Sequence, residues 1–143
     1  MDFIVAAWIF KDDKVLLIKG HNLKQWLPVG GHVEEGEFFD EALIREVKEE
    51  VDLEIEFLEH DVLGGDVDQS RIRDMPMPFR MADKKGKAIL MDYLAKPLTT
   101  DIAMQPEEIS DYKWFTLEEI QVECKNPRVI EVAKKAFQKY YDF

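Results

Sequence analysis

Between Phe38 and Val51 the chain runs fourteen residues without glycine or proline, and its apolar side chains return at helical intervals. At about 100° per residue, with Phe39 as zero, Leu43, Val47, Val51 and Ile44 fall at roughly 40°, 80°, 120° and 140° and form one buried arc. Glu50 lands at roughly 20°, within that arc, with Glu46 at roughly 340° and Glu49 at roughly 280°. Three carboxylates therefore share one side of a helix and abut its apolar stripe, whereas an ordinary surface helix turns its acids away from the core. Partly burying an uncompensated carboxylate is costly, and like charges one turn apart repel, so positive charge is expected among them. Two readings follow from the residues. In one, Arg45 makes a salt-bridged, partly exposed acidic edge with its fork of donors. In the other, an oxygen-preferring divalent cation, Mg²⁺ or Mn²⁺, sits there, since one guanidinium does not neutralise three carboxylates.

The segments around this helix read mostly as strands. Phe3–Phe10 and Val15–Lys19 are β-prone and joined by Lys11-Asp12-Asp13-Lys14, a hairpin. Trp26–Val33 carries Pro28 and the pair Gly30-Gly31, so it is a loop or a strand broken by a turn, and the glycines let the backbone approach a ligand closely. Leu53–Leu63 alternates like a strand. Arg71–Ala82 and Lys87–Lys96 form a second hairpin across Asp83–Gly86, and Glu108–Phe115 is a further strand. Thr116-Leu117-Glu118-Glu119 is a capping box opening a short helix. Asn126-Pro127 caps and starts a last helix running toward Tyr140. The order predicts a mixed α/β domain, a sheet covered by helices, rather than a four-helix bundle or a repeated βαβ array. Phe79 and Tyr93 are expected in the core, and Trp26 as a packing residue at the base of its loop.

At 143 residues the chain is the length of one domain, taken as 1–143, large enough to fold without disulfide or structural metal. The single cysteine, Cys124, excludes an internal disulfide and points to a reducing, intracellular setting, with the cytoplasm expected. No segment has the length of a membrane span, and the apolar run Phe3–Phe10 lacks the basic start of a signal peptide. A net charge of −11 argues against binding a nucleic acid polymer. Residues 34–61 hold thirteen acids against Arg45 and Lys48, a net −11, so the remainder sums to zero. Residues 70–87 lean the other way, with six basic residues against two acids, so Arg71, Arg73 and Arg80 are candidates for holding phosphates unless this is simply a basic hairpin surface. His32, directly after the glycine pair, is a candidate to touch substrate, and His21 a weaker one.

Gly31, Glu37, Arg45, Glu46, Val47, Glu49, Glu50 and Leu53 stand at fixed spacing, five residues separating the first two and seven separating Glu37 from Arg45. This resembles the Nudix box, matching eight specified positions over 23 residues. One position departs: Asp52 stands where that family has glycine. The site is the expected helix C-cap, where the backbone turns left-handed, and Asp tolerates this better than most residues. Trp26-Leu27-Pro28 and the stretch from Glu108 through Trp114 to Glu119 also look like the family's flanking segments, whereas residues 65–106 match no motif.

The resemblance implies an α/β/α sandwich on a mixed β-sheet flanked by helices, with the box forming loop, helix and loop. It implies a hydrolase that cleaves the diphosphate linkage of a nucleoside diphosphate derivative (a nucleoside triphosphate, ADP-ribose or a dinucleoside polyphosphate) with Mg²⁺, or Mn²⁺ in its place. Carried onto this chain, Glu46, Glu49 and Glu50 are metal ligands together with the Gly31 carbonyl, while Glu37 and Arg45 pair behind them to orient the helix. The general base is Glu50 or Glu46 within the box, or Glu108 outside it. Glu108 has two further readings, as a metal ligand or as an exposed loop acid. Subclass cues are missing: Asp68 stands where ADP-ribose enzymes have proline, and Arg71 where dinucleoside polyphosphate enzymes have tyrosine, so a general nucleotide-cleaning role survives by elimination. A nucleotide-binding or regulatory domain on the same fold, without hydrolysis, is the alternative; such domains usually have eroded boxes, and here the carboxylates remain. A diphosphate isomerase on the same fold lacks its additional machinery here, and a homodimer is left open.

Overall fold

The computed structural model describes residues 1–21, 24–58 and 74–143. In chain order these form β1 (Asp2–Lys11), β2 (Lys14–Gly20), β3 (Trp26–Leu27), β4 (Val29–His32), α1 (Phe39–Val51), β5 (Ile55–Phe57), β6 (Arg80–Asp83), β7 (Ala88–Pro97), β8 (Ile109–Phe115), α2 (Leu117–Glu123) and α3 (Pro127–Tyr141). β1 reads as continuous apolar sequence because both of its faces are covered. Val5, Ala7 and Ile9 pack toward α1 with Leu43, Val47 and Val51. Trp8 and Phe10 point the other way, against Val129, Val132, Ala136 and Phe137 of α3. The result is a helix–sheet–helix sandwich on a mixed sheet, the architecture the box implies.

The sheet is mixed because β1 pairs in parallel with β7, Asp2 opposite Ala88 through Ile9 opposite Ala95, and antiparallel with β4 on its other side. β1 and β2 pair only at their hairpin, Phe10 with Val15 and Lys11 with Lys14, after which β2 diverges to pair with β3 and β8. This divergence leaves β4, with its glycines, lying under α1. Pro28 separates β3 from β4, because its ring nitrogen has no N–H to give to a ladder.

Two expected strands are shorter than their pattern. The alternation from Leu53 is strand only over Ile55–Phe57, and residues 59–63 lie outside the described residues. The hairpin arm expected from Arg71 begins at Arg80. Pro76 and Pro78 stand just before it, and each removes a ladder donor. Arg71 and Arg73 lie outside the described residues. Phe79 and Tyr93 are core residues, 8% and 2% exposed. Among the described residues no helix is long and apolar enough to cross a membrane.

Local capping signals hold. Thr116 accepts the Glu119 N–H while the Glu119 carboxylate accepts the Thr116 N–H, and Asn126 Oδ1 accepts the Arg128 N–H at 3.0 Å. At the start of α1 the Glu41 carboxylate accepts the Phe38 N–H at 2.9 Å. Asp52 ends the helix at φ 57°, ψ 38°, left-handed, with its N–H on the Lys48 carbonyl and its carboxylate 3.0 Å from Lys48 Nζ. The exposed ion pair offsets little of that backbone cost. Replacing Asp52 by glycine is therefore expected to stabilise the fold by about 0.5–1 kcal/mol. Thermal melting would show this as a rise of about 2–4 °C. An unchanged or lower midpoint would refute it.

Candidate active site

Arg45 is the hub of the acidic cluster. Its Nε and Nη2 grip the Glu37 carboxylate at 2.7 and 3.0 Å, its Nη1 reaches Glu46 at 3.0 Å and Glu49 at 3.3 Å, and Nη2 also donates to the His32 carbonyl at 3.1 Å. The guanidinium holds Glu37 below the usual carboxylate range, first through these hydrogen bonds and next through the Glu34 N–H that the same carboxylate accepts. Arg45 in turn is held more firmly protonated. One guanidinium thus ties the loop at Glu34–Glu37, the end of β4 and the exposed edge of α1 into a single unit. The arginine-bridged edge exists, yet it leaves Glu50 outside its reach.

Glu50 turns toward the sheet. Its Oε1 accepts the Gly30 N–H at 3.1 Å, and among the described residues no Lys, Arg or His pairs with it. Burial, and then the charge of Glu46, push its carboxyl up to about 8. Glu46 is raised as well, by burial first, with Arg45 working against the shift. Glu108, exposed and just before β8, adds its negative charge to both from a different element. Glu49 is the outermost of the three, its side chain 53% exposed.

The two glycines have different tasks. Gly30 supplies the amide that meets Glu50, and a Cβ there would collide with the backbone of Val5 and Ala6. At Gly31 a Cβ would stand 2.5 Å from the Glu46 carboxylate, so this glycine makes the room that Glu46 occupies. The resemblance points to the Gly31 carbonyl, whereas the amide that meets Glu50 belongs to Gly30, since which glycine faces the helix depends on the β1–β4 register.

Arg80, a candidate phosphate contact, is paired within the fold. Its Nη1 lies 3.0 Å from Asp92 Oδ2, and Trp8 Nε1 donates to Asp92 Oδ1 at 2.9 Å. Asp92 is 7% exposed, and it points with Trp8 to the α3 side of the sheet, away from the α1 carboxylates. A buried carboxylate there needs its cation, so Arg80 is held by the core. The His32 ring is exposed, and only its backbone carbonyl is tied, to Arg45. His21 Nε2 sits 2.6 Å from the Pro106 carbonyl.

A cleft of about 450 Å³ opens beside β2 and β3, where Lys19, Lys24, Trp26, Glu123, Lys125 and Asn126 line it. Trp26 packs edge-on against Phe115, and Lys19 Nζ lies 4.6 Å from its ring centre. The packing expected of Trp26 is present, and the same residue also walls the cleft. Glu123 is bound to Lys113 at 2.7 Å, so lysine charge prevails in this cleft of a strongly acidic chain. Nothing local in the sequence foretold this: Asn126 reads only as a helix cap, and the lysines come from three separate segments.

Among the described residues no three acidic, histidine or cysteine side chains already converge on one metal-sized point. The donor set nevertheless suits a divalent cation. Glu50 is a largely buried carboxylate with a single amide to compensate it, and the Glu46 carboxylate occupies the room that Gly31 leaves beside the β4 backbone.

Comparison with known proteins agrees with this arrangement. A NUDIX domain profile matches residues 3–139. A NUDIX-family hydrolase from Clostridium perfringens superposes with a TM-score of 0.79 at 26% identity, covering 96% of each chain. A Caenorhabditis elegans Ap4A hydrolase shares the fold at a TM-score of 0.73, with 21% identity and 100% of each chain covered. The NAD-capped RNA hydrolase NudC of Pseudomonas entomophila is 28% identical over 114 residues, 78% of this chain and 35% of that protein. The chain thus spans about a third of the length of the curated relatives it matches. With the profile covering nearly its whole length and the box residues assembled around Arg45, the chain belongs to the NUDIX domain family.

Proposed function

We propose that this domain is a pyrophosphohydrolase that cleaves the diphosphate linkage of a nucleoside diphosphate derivative, with Mg²⁺ as cofactor and Mn²⁺ able to replace it. The observation that carries this reading is Glu50, a carboxylate set into the α1–β4 junction with an amide but no cation to meet it. Such a group is costly unless it serves a charged ligand. Glu46, Glu49 and Glu50 would hold the metal beside the Gly30–Gly31 backbone. When bound, the metal supplies charge to neutralise phosphate oxygens and to acidify water.

The chain's own residues do the rest. Arg45 holds Glu46 and Glu49 in place and keeps Glu37 ionised, so the α1 carboxylates keep their geometry as ligand charge enters. Burial keeps the Glu50 carboxyl protonated at neutral pH in the metal-free domain, so Glu50 would serve as a base only with a cation beside it to ionise it, and Glu46 or Glu108 are the other candidates for that role.

The test is a kinetic screen with Mg²⁺ across nucleoside triphosphates, ADP-ribose, NADH and dinucleoside polyphosphates. An NAD-capped oligonucleotide is added because the curated relatives act on NAD-capped RNA. Release of mononucleotide or pyrophosphate from at least one of them, abolished by a chelator, is the expected result. Saturable nucleotide binding without product would favour the binding-domain alternative instead.

A further inference from the structure

The stretch from 99 to 108 carries Glu108 to the start of β8, and it is fastened at both ends. At one end Ala103 donates its N–H to the Val51 carbonyl at 3.0 Å and Gln105 to the Glu50 carbonyl at 3.0 Å, so this stretch caps the last turn of α1. At the other end stands His21, the first residue after β2. Its Nε2–H donates to the Pro106 carbonyl at 2.6 Å, and its backbone N–H reaches the Glu108 carbonyl at 3.4 Å. Between these anchors the chain turns tightly, with the N–H groups of both Glu108 and Ile109 on the Gln105 carbonyl. Pro106 has no N–H, so the turn lacks one of the donors that would otherwise fix it. The backbone bond from His21 is long, and its ring provides the short contact.

We propose that His21 is a positioning residue: by holding the Pro106 carbonyl it fixes the turn that carries Glu108, on a stretch whose Gln105 N–H is itself bound to the Glu50 carbonyl at the end of α1. The inference rests on the hydrolase reading above, and it adds a residue outside the box to the machinery. The His21 ring is exposed and carries no core contact, so its loss loosens the turn without unfolding the domain. Misplacing a reacting group by about an ångström lowers turnover steeply.

The test uses His21→Ala and His21→Gln, because a glutamine amide reaches as far as Nε2 and can still donate to Pro106. His21→Ala is expected to lower kcat about tenfold with little change in KM and no change in melting temperature, and His21→Gln to recover most of it. In a Glu108→Gln background, His21→Ala is expected to cost nothing further. Hydrogen exchange at the Glu108 and Ile109 amides is expected to quicken in His21→Ala but not in His21→Gln, a readout that needs no turnover. Unchanged exchange, or wild-type kcat in His21→Ala, overturns the proposal, as does full additivity with Glu108→Gln. If the wild type hydrolyses none of the panel while the exchange result holds, the hydrolase reading falls and the proposed catalytic role of His21 falls with it, leaving only the latch.

Discussion

Glutamine in place of Glu50 is expected to lower hydrolysis about 10²–10⁴-fold and, at pH 8, to leave the fold at least as stable as the wild type. The two halves of this expectation share one cause. The Glu50 carboxylate is held in a largely buried position by one amide, with Glu46 beside it, and burial disfavours its charged form. Glutamine keeps an oxygen for the Gly30 N–H and removes the charge, so the strain is relieved and the capacity to hold a cation or accept a proton is lost. Glu49→Gln is also expected to lose most activity. Its side chain is more than half exposed and its contact with Arg45 is only 3.3 Å, so its effect on stability is expected to be negligible. Steady-state kinetics on the best substrate of the panel, run beside thermal melts, separates these outcomes. If both variants turn over at the wild-type rate, the carboxylates have no part in the chemistry.

What could be read without coordinates was what depends on neighbours in sequence. The phase of α1 put Glu46 and Glu50 against the apolar stripe because a helix repeats every 3.6 residues, and the structure has Glu50 turned to β4. Thr116 and Asn126 were legible as caps because a cap is made within four residues. The left-handed Asp52 followed from its place just beyond the last apolar residue of the helix. The parts that stayed hidden depend on strand register and on partners far along the chain. Arg80 meets Asp92 only because β6 pairs with β7, and Trp8 reaches Asp92 across 84 positions. His21 meets Pro106 across 85 positions. For Arg80 and His21 the residue type suggested ligand contact, and long-range pairing shows a protein partner for each.

Without divalent metal the protein is expected to lose stability as pH rises from about 5 to 8, and Mg²⁺ is expected to restore it at the upper end. Glu50 carries the sign of the effect. Its carboxyl lies near 8 in the fold against an ordinary 4.5, so the folded state binds the extra proton throughout that window. A group raised in this way contributes stability that is complete below its unfolded value and is lost as pH climbs through its folded one. Glu46, raised in the same direction, adds to the trend. Glu37 and Glu119 are shifted downward, and their contributions disappear only as pH falls below the ordinary carboxylate range, outside the window. Discounted for the solvent that still reaches Glu50, the loss is expected to be roughly 2–4 kcal/mol. A divalent cation competes with the proton for the same oxygens, so millimolar Mg²⁺ should raise stability more at pH 8 than at pH 5. Urea unfolding of chelator-treated protein at both pH values, with and without Mg²⁺ at matched ionic strength, measures both effects. In Glu50→Gln the pH slope is expected to flatten and the Mg²⁺ gain to shrink. Equal stability at pH 5 and 8 in the metal-free wild type, or an undiminished Mg²⁺ gain in Glu50→Gln, would show that the charge at this position is not what the metal answers.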